Sequence, residues 1–378
     1  MSTLKVDGIR SNSASSDAIT LASDGTCTAN ITNNLSNRNL IINGAMNVAQ
    51  RGTSSTGLGA SAGYFTLDRY RTTFSSTAGR LTMSQVADVH DGFANAMKFE
   101  CTTADTSVGA SEYFILQQKF EGQDLQQLKK GSSDAEEFTV SFYVKGNASA
   151  TYVVEMYDLD NARQISKTFS VTTGWTRVEL TFPADTTGAL DDDNAASLQL
   201  GIWLHGGSNY TSGTLNSSAF AANTNANRAV GISSFFDSTD RTFFLTGLQL
   251  EVGSVATDFE HRSYGDELRR CQRYFQTWRP QGQTPPVLST LMCTGSSSFI
   301  GPLLFREIMR AAPTLTSDNI IGITSGNGSA GEGTLAIDNA TPTAARILGS
   351  SFSGLSAGNC TWIQHSDQDG YLDLSAEL

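Results

Sequence analysis

The side chains able to do chemistry are few and scattered along this chain of 378 residues. Its four histidines, His90, His205, His261 and His365, show neither HxH nor HExxH spacing, so no zinc motif is present. A nucleophile elbow of the GxSxG kind and a phosphate-cradling GxxxxGKS or GxxxxGKT loop are both missing. Gly57-Leu58-Gly59 has no helix after it and cradles no phosphate. Hydrolysis of a polysaccharide needs two carboxyls about 5 to 10 Å apart. Asp158, Asp160, Asp191, Asp192 and Asp193 are available, but acids in such turns are usually solvated, and an enzyme is not expected. The run Asp191-Asp192-Asp193-Asn194 offers the oxygens that calcium takes from a flexible loop, without the spacing of a calcium hand. It reads either as a solvated turn or as a structural calcium site, and no other cofactor is implied.

One chemistry to weigh against these is sugar binding. An aromatic ring covers the apolar face of a pyranose while polar groups fix its orientation. Trp203 sits in an apolar run and reads as core, and Trp175 at a strand start reads as structural. Tyr210, in a polar loop with His205 and Asn209, is the aromatic most open to a ligand. Trp278 and Trp362 are the other candidates, Trp362 lying near His365, Asp367 and Asp369. The ligand-binding expectation therefore rests on Tyr210, His205, Asn209, Trp278, Trp362 and Asp367.

The elements that must position these residues are short strands. Charged residues are only 16% of the chain, while Gly, Ser, Thr, Asn and Ala are abundant, which favours turn-rich β structure over long helices. A net charge of −12 and the lack of basic runs argue against nucleic acid as a partner. No apolar run approaches the roughly 20 residues of a membrane span, and MSTLKVDGIR has no apolar core or cleavage site of a signal peptide. Five scattered cysteines with no CxxC pair read as free thiols of a reducing cytosol.

Residues 1–42 carry isolated apolar points in polar surroundings, with alternation at Ala18-Ile19-Thr20-Leu21 and a turn signal at Asp24-Gly25. Alone they cannot bury a core; they either dock on a partner or form a disordered leader. Residues 43–262 read as one β-sandwich, with strands at Phe138–Val144, Thr151–Tyr157, Thr176–Phe182, Ser197–Leu204 and Phe243–Glu251. A strand, a turn and one helical turn are expected over Leu116–Leu128. Residues 207–228 read as a long exposed loop, either a binding element or plain surface. Tyr264–Thr277 is the best helix, with Leu268, Cys271 and Phe275 on one face and acids before bases. Residues 263–378 are this helix and a smaller β domain, with strands at Val287–Cys293, Ile320–Ile323, Gly333–Ile337 and Tyr371–Leu374 and loops at Gly295–Ser298 and Ser325–Gly328.

Several segments together resemble a bacteriophage tail-fibre or receptor-binding protein. They are Arg38–Gly52 (RNLIINGAMNVAQRG), Tyr64–Tyr70 (YFTLDRY), Gly174–Arg177, Gly247–Gly253, the linker Ala256–Gly265 with Cys271–Tyr274, Met309–Thr314 and Asp373–Leu378. They span most of residues 38–378. The resemblance implies an all-β protein: an N-terminal short-strand segment for virion attachment, a central carbohydrate-binding-module-like jelly roll, a linking helix and a distal β domain. It also implies a homotrimer, in which the face of Leu268, Cys271 and Phe275 is expected to meet its copies at a threefold axis. The trimer would be joined to phage tail or adaptor proteins through residues 1–42, made in the host cytoplasm, carried on the virion and adsorbing to a host surface polysaccharide. A tail adaptor or head fibre without a receptor role, and a polysaccharide-depolymerising tailspike, are the alternatives.

Overall fold

The computed structural model describes residues 6–13, 15, 17–21, 23, 27–29, 37–280, 287–323 and 328–378. The expected turn at Asp24-Gly25 and most of the Ser325–Gly328 loop lie outside them. Two antiparallel sheets face each other across a core of alternating apolar side chains. One sheet has six strands, in spatial order Thr176–Phe182, Phe138–Gly146, Thr242–Val252, Ala96–Thr103, Arg80–Val86 and Ser54–Leu58. The other has seven: Ala221–Ala222, Arg163–Val171, Ala150–Asp158, Ala196–Gly206, Tyr113–Glu121, Arg71–Ser75 and Gly63–Tyr64. This is the jelly-roll sandwich. The period-2 pattern explains it: Leu198, Leu200, Ile202 and Leu204 point into the core, and Gln199, Gly201 and Trp203 point out. After Tyr113–Glu121 come two short 3-10 turns, Gly122–Asp124 and Gln126–Leu128, burying Leu125 and Leu128.

A smaller β unit with its own core follows. One sheet joins Phe275–Trp278, Tyr371–Ser375 and Thr314–Asp318. The other joins Ser329–Glu332, Ile320–Ile323, Cys360–His365, Val287–Cys293, Phe299–Leu304, Ala344–Ser350 and Thr334–Asp338. At the other end, Gly8–Ile9, Ile19–Leu21 and Cys27–Ala29 form a three-stranded sheet on which Ile9 and Leu21 remain exposed.

The linking helix is shorter than its periodicity predicts. It runs Tyr264–Gln272, with Ser263 as its N-cap accepting from Asp266 N at 3.2 Å. Phe275 belongs instead to a strand, Phe275–Trp278, which pairs with Tyr371–Ser375. Two of the three residues of the face expected to meet copies at a threefold axis are taken up within the chain, while Leu268 is half-buried. Cys271 and Phe275 are buried, and the Arg51 guanidinium lies 3.5 Å from the Phe275 ring centre.

The boundary expected after residue 42 also moves. Asn39 Nδ2 donates to Leu248 O, and Asn39 Oδ1 accepts from Leu250 N. Leu40 N donates to Leu250 O, and Ile41 is fully buried in the sandwich core. Asn43, at a left-handed φ of 64°, bonds through its side chain to Val48 and Asp68. Its N–H donates to Glu267 Oε1 of the linking helix at 2.6 Å. The sandwich therefore begins near Asn37.

A buried ionic clamp joins the two units. Arg69, 1% exposed, pairs with Glu377 and donates to Lys119 O at 2.7 Å. The Tyr274 ring covers its guanidinium at 3.4 Å. Arg51 reaches the same carboxylate at 3.1 Å and Asp68 at 3.5 Å. Burial pushes the Asp68 carboxyl up to about 6, although Arg51 and Gln50 pull it down. Arg273 makes a two-pronged bond to Glu121, which also accepts from Tyr274 Oη.

Two stability measurements check this account. A chain starting at Asn37 is expected to match the full chain's urea midpoint for the sandwich. One starting at Asn43 should lose about 3 kcal/mol or more, since it drops a buried Ile and paired backbone groups. Equal midpoints would return the boundary to residue 42. Glu377→Gln leaves Arg69 buried without its counter-charge and should cost about 3 kcal/mol; an unchanged midpoint would show that the clamp carries no stability.

Candidate functional site

The outer face of the seven-stranded sheet carries the site. From adjacent strands it presents Thr73, then Tyr113, Ile115 and Gln117, then Gln199 and Trp203, then Glu155 and Tyr157. Gly201, between Gln199 and Trp203, keeps the middle of this face low, since a Cβ there would stand 3.2 Å from Ile115. The segment read as a long exposed loop folds back over the same face. Its short helix Ser208–Thr211 starts where Gly207 N donates to Glu112 O at 2.8 Å. Further on, Ser166 N donates to Asn216 O, and Asn216 Nδ2 to Gln164 O, so the loop is sewn to a strand near the sheet's edge. Ala229 N donates to Tyr210 O, which closes it.

Between sheet and loop lies an open groove of about 280 Å³. Tyr113, Tyr157 and Tyr210 supply its aromatic walls, and Gln117, Gln199, Asn225 and Arg228 its polar ones. The rings are braced in a set: Tyr113 meets Tyr210 edge-on at 5.3 Å, and Trp203 meets Tyr210 at 5.2 Å. Beneath them Glu155, with no exposed surface, accepts from Trp203 Nε1 at 3.0 Å. It also takes both prongs of Arg228, at 2.7 and 2.8 Å. The Arg228 guanidinium stacks over Tyr157 and Trp203, 5.0 and 4.9 Å from the ring centres. Burial works against its charge, but Glu155 more than offsets this and holds Arg228 ionised. Burial and the neighbouring Tyr113 push the Tyr210 phenol up, so it stays protonated and can donate to a hydroxyl. The arrangement can stack a ring-shaped, hydroxyl-rich ligand and hydrogen-bond its edge.

Of the residues expected to bind a ligand, Tyr210 lines this groove, together with the supposed core residue Trp203. Trp203 is fully buried and shapes the wall from behind. Asn209 is exposed beside the groove but outside its lining, its N–H given to Ala110 O. His205 is a correction: it has no exposed surface, and its Nδ1 bonds to Ser234 Oγ at 2.8 Å. Trp278 is half-buried on the second unit's core under the Arg306 guanidinium. Trp362 is half-buried in the Cys360–His365 strand. Asp367 closes a turn by accepting from Asp369 N and Gly370 N at 2.9 Å. None of these three touches the groove. Asp191, Asp192 and Asp193 form a turn: Asp191 N donates to Asp160 Oδ2, and Asp193 Oδ1 accepts from Ala195 N. Their carboxylates are not the ones that converge among the described residues; those are Asp105 and Glu112, with His205. Asp158 is buried against Lys130 and Asn161.

Tyr113, Tyr157, Gln117, Gln199, Asn225 and Arg228 escaped the sequence reading. The signal was available in the strands themselves. Tyr113-x-Ile115-x-Gln117 and Glu155-x-Tyr157 put aromatic and amide groups at outward positions, where a plain solvent face carries small or charged ones.

No family model matches the sequence, and no curated protein matches it. Among solved structures, a CBM4 domain superposes on 56% of this chain and 97% of its own, at 12% identity and a TM-score of 0.28. The enzymatically active domain of bacteriophage CBA120 tailspike protein 4 matches over 57% of this chain, at 10% identity and a TM-score of 0.30. This chain spans only 21% of that one. A CBM61 module solved in complex with β-1,4-galactotriose matches over 57% of this chain and 99% of its own, at 12% identity and a TM-score of 0.29. Likeness at this level leaves function to be argued from the groove.

Arg228→Ala would strand the Glu155 carboxylate in the interior. A loss of about 3 kcal/mol in urea unfolding is expected, along with a changed Trp203 environment in near-UV circular dichroism. An unaltered spectrum and midpoint would mean the ion pair does not brace the groove.

Proposed function

We propose that the chain is a non-enzymatic virion fibre component that recognises a bacterial surface glycan in the groove between Tyr113, Tyr157 and Tyr210. The observation that carries this reading is the pairing of aromatic faces with amide groups on a braced, concave surface. Tyrosine faces cover the CH-rich side of a pyranose, and Gln117, Gln199 and Asn225 match its hydroxyls. Among the described residues lining the groove there is no acid, and the Glu155 carboxylate beneath it is committed to Arg228 and Trp203. That favours binding over hydrolysis, which requires two carboxyls facing the bond to be cut.

The fibre role rests on the resemblance of residues 38–378 to tail-fibre modules. The N-terminal sheet supports it, because Ile9 and Leu21 face outward on a unit too small to bury them. Three chains side by side would cover those residues, leaving the segment to attach to the particle. Three weak sites per fibre then add by multivalency rather than by a single strong contact.

The test is binding of the purified chain to host cells before and after removal of their surface polysaccharide. Wild type should bind only intact cells, and Tyr157→Ala and Tyr210→Ala should each weaken binding about tenfold or more. Sedimentation should give three times the 40.3 kDa chain mass. Binding that survives polysaccharide removal would sink the glycan reading. Released oligosaccharide would replace it with a depolymerase, and a monomer would remove the trimer.

A further inference from the structure

His205 is the buried polar residue that the groove leaves unexplained. Its ring lies wholly inside the protein, and its Nε2 makes no hydrogen bond. The nearest oxygen across from it, Glu112 Oε2, stands at 3.5 Å and is likewise without a hydrogen-bond partner. That separation is too long for a good N–H···O bond. A carboxylate oxygen of Asp105 joins them, and the three ligand atoms lie within 4.8 Å of one another. Two ligands each about 2.1 Å from a tetrahedral ion stand about 3.4 Å apart. The 3.5 Å gap between Nε2 and Oε2 has that size.

The surroundings are those of a prepared site. Ser234 Oγ accepts the Phe236 N–H and bonds to His205 Nδ1; when that nitrogen is the donor, the Nε2 lone pair faces the two carboxylates. Thr77 Oγ1 and Ala78 N hold Asp105 Oδ2 at 2.7 and 2.8 Å. The backbone fixes the pieces to each other, since Asp105 N donates to Phe236 O and Phe235 N to Leu204 O. Gly109 packs on Glu112, where a Cβ would come within 2.9 Å of its Oε1.

We propose that Asp105, Glu112 and His205 bind one divalent transition-metal ion of the zinc type. Two carboxylates and a neutral imidazole balance its charge and match its preference for mixed nitrogen and oxygen ligands, whereas calcium and magnesium select oxygen alone. A fourth position is left for water. The ion would be structural, tying the turn after Ala96–Thr103, the entry to Tyr113–Glu121 and the end of Ala196–Gly206 into one knot. Gly207 follows at once and opens the loop that carries Tyr210, so the knot fixes the root of that loop.

The experiment uses the full chain stripped with a chelator and then titrated with zinc chloride, or with calcium chloride as control. Zinc should bind at one ion per chain by calorimetry and elemental analysis. Saturating zinc should raise the melting temperature by on the order of 5 °C, and calcium at equal concentration should leave it unchanged. Glu112→Gln keeps the shape of a partly exposed ligand; it should melt like the stripped wild type and lose at least tenfold in zinc affinity. His205→Ala gives a second reading where it folds. No uptake by the wild type, equal uptake by Glu112→Gln, or an equal response to calcium would each overturn the assignment.

Discussion

A guanidinium buried to 1% exposure needs a counter-charge, and much of this molecule is arranged to supply one to Arg69. The residue sits at a left-handed φ of 72°, a conformation costly for a side chain other than glycine. It persists because partners from three parts of the chain converge on it: Lys119 from the sandwich, Tyr274 from the linking segment and Glu377 from the final strand's exit. Burial disfavours the charge, and Glu377 with Tyr274 and Tyr64 more than offsets it, so Arg69 remains ionised. The helix, the strand after it and the second unit thereby take fixed places on the sandwich. Arg51 and Arg273 repeat the device at the flanks, one on Glu377 and the other on Glu121.

The groove uses the same logic on a smaller scale. Glu155 is an interior carboxylate that would be intolerable alone, and Arg228 and Trp203 neutralise and bond it. The consequence is geometric. Arg228 comes from the folded-back loop and Glu155 from the sheet, so the ion pair sets the distance between them. The tyrosine rings above inherit that spacing, and a ligand meets a surface whose rotamers are already chosen.

Much of the fold was legible because a sheet writes its inside and outside into alternate residues. Phe138–Gly146, Ala150–Asp158, Thr176–Phe182, Ala196–Gly206 and Thr242–Val252 stand where their apolar alternation places them. The helix was overextended because Phe275 keeps the helical spacing from Leu268 and Cys271. Only the pairing of Phe275–Trp278 with Tyr371–Ser375, nearly a hundred residues on, overrides that local signal. The same non-locality hid the site. Tyr113, Tyr157, Tyr210 and Arg228 share a groove only once the strand order is known, and Arg228 lies in a stretch of sequence that resembles any polar loop. His205 misled for a related reason: a polar neighbourhood in sequence says little about burial when a β-bulge beside Trp203 and His205 resets the strand's facing.

The clamp also has a timetable. Arg69 and Glu377 lie 308 residues apart. A ribosome adding 5 to 20 residues per second needs roughly 15 to 60 s to span that distance. Throughout that interval the nascent sandwich carries an arginine whose final partner does not yet exist. The half-made chain thus passes through a stage in which its sheets can pair while the pocket around Arg69 stays open to water. Locking of the junction waits for Glu377, and over the roughly one hundred residues made between Phe275 and Glu377, about 5 to 20 s at that rate, Tyr274 and Phe275 are within reach of chaperones.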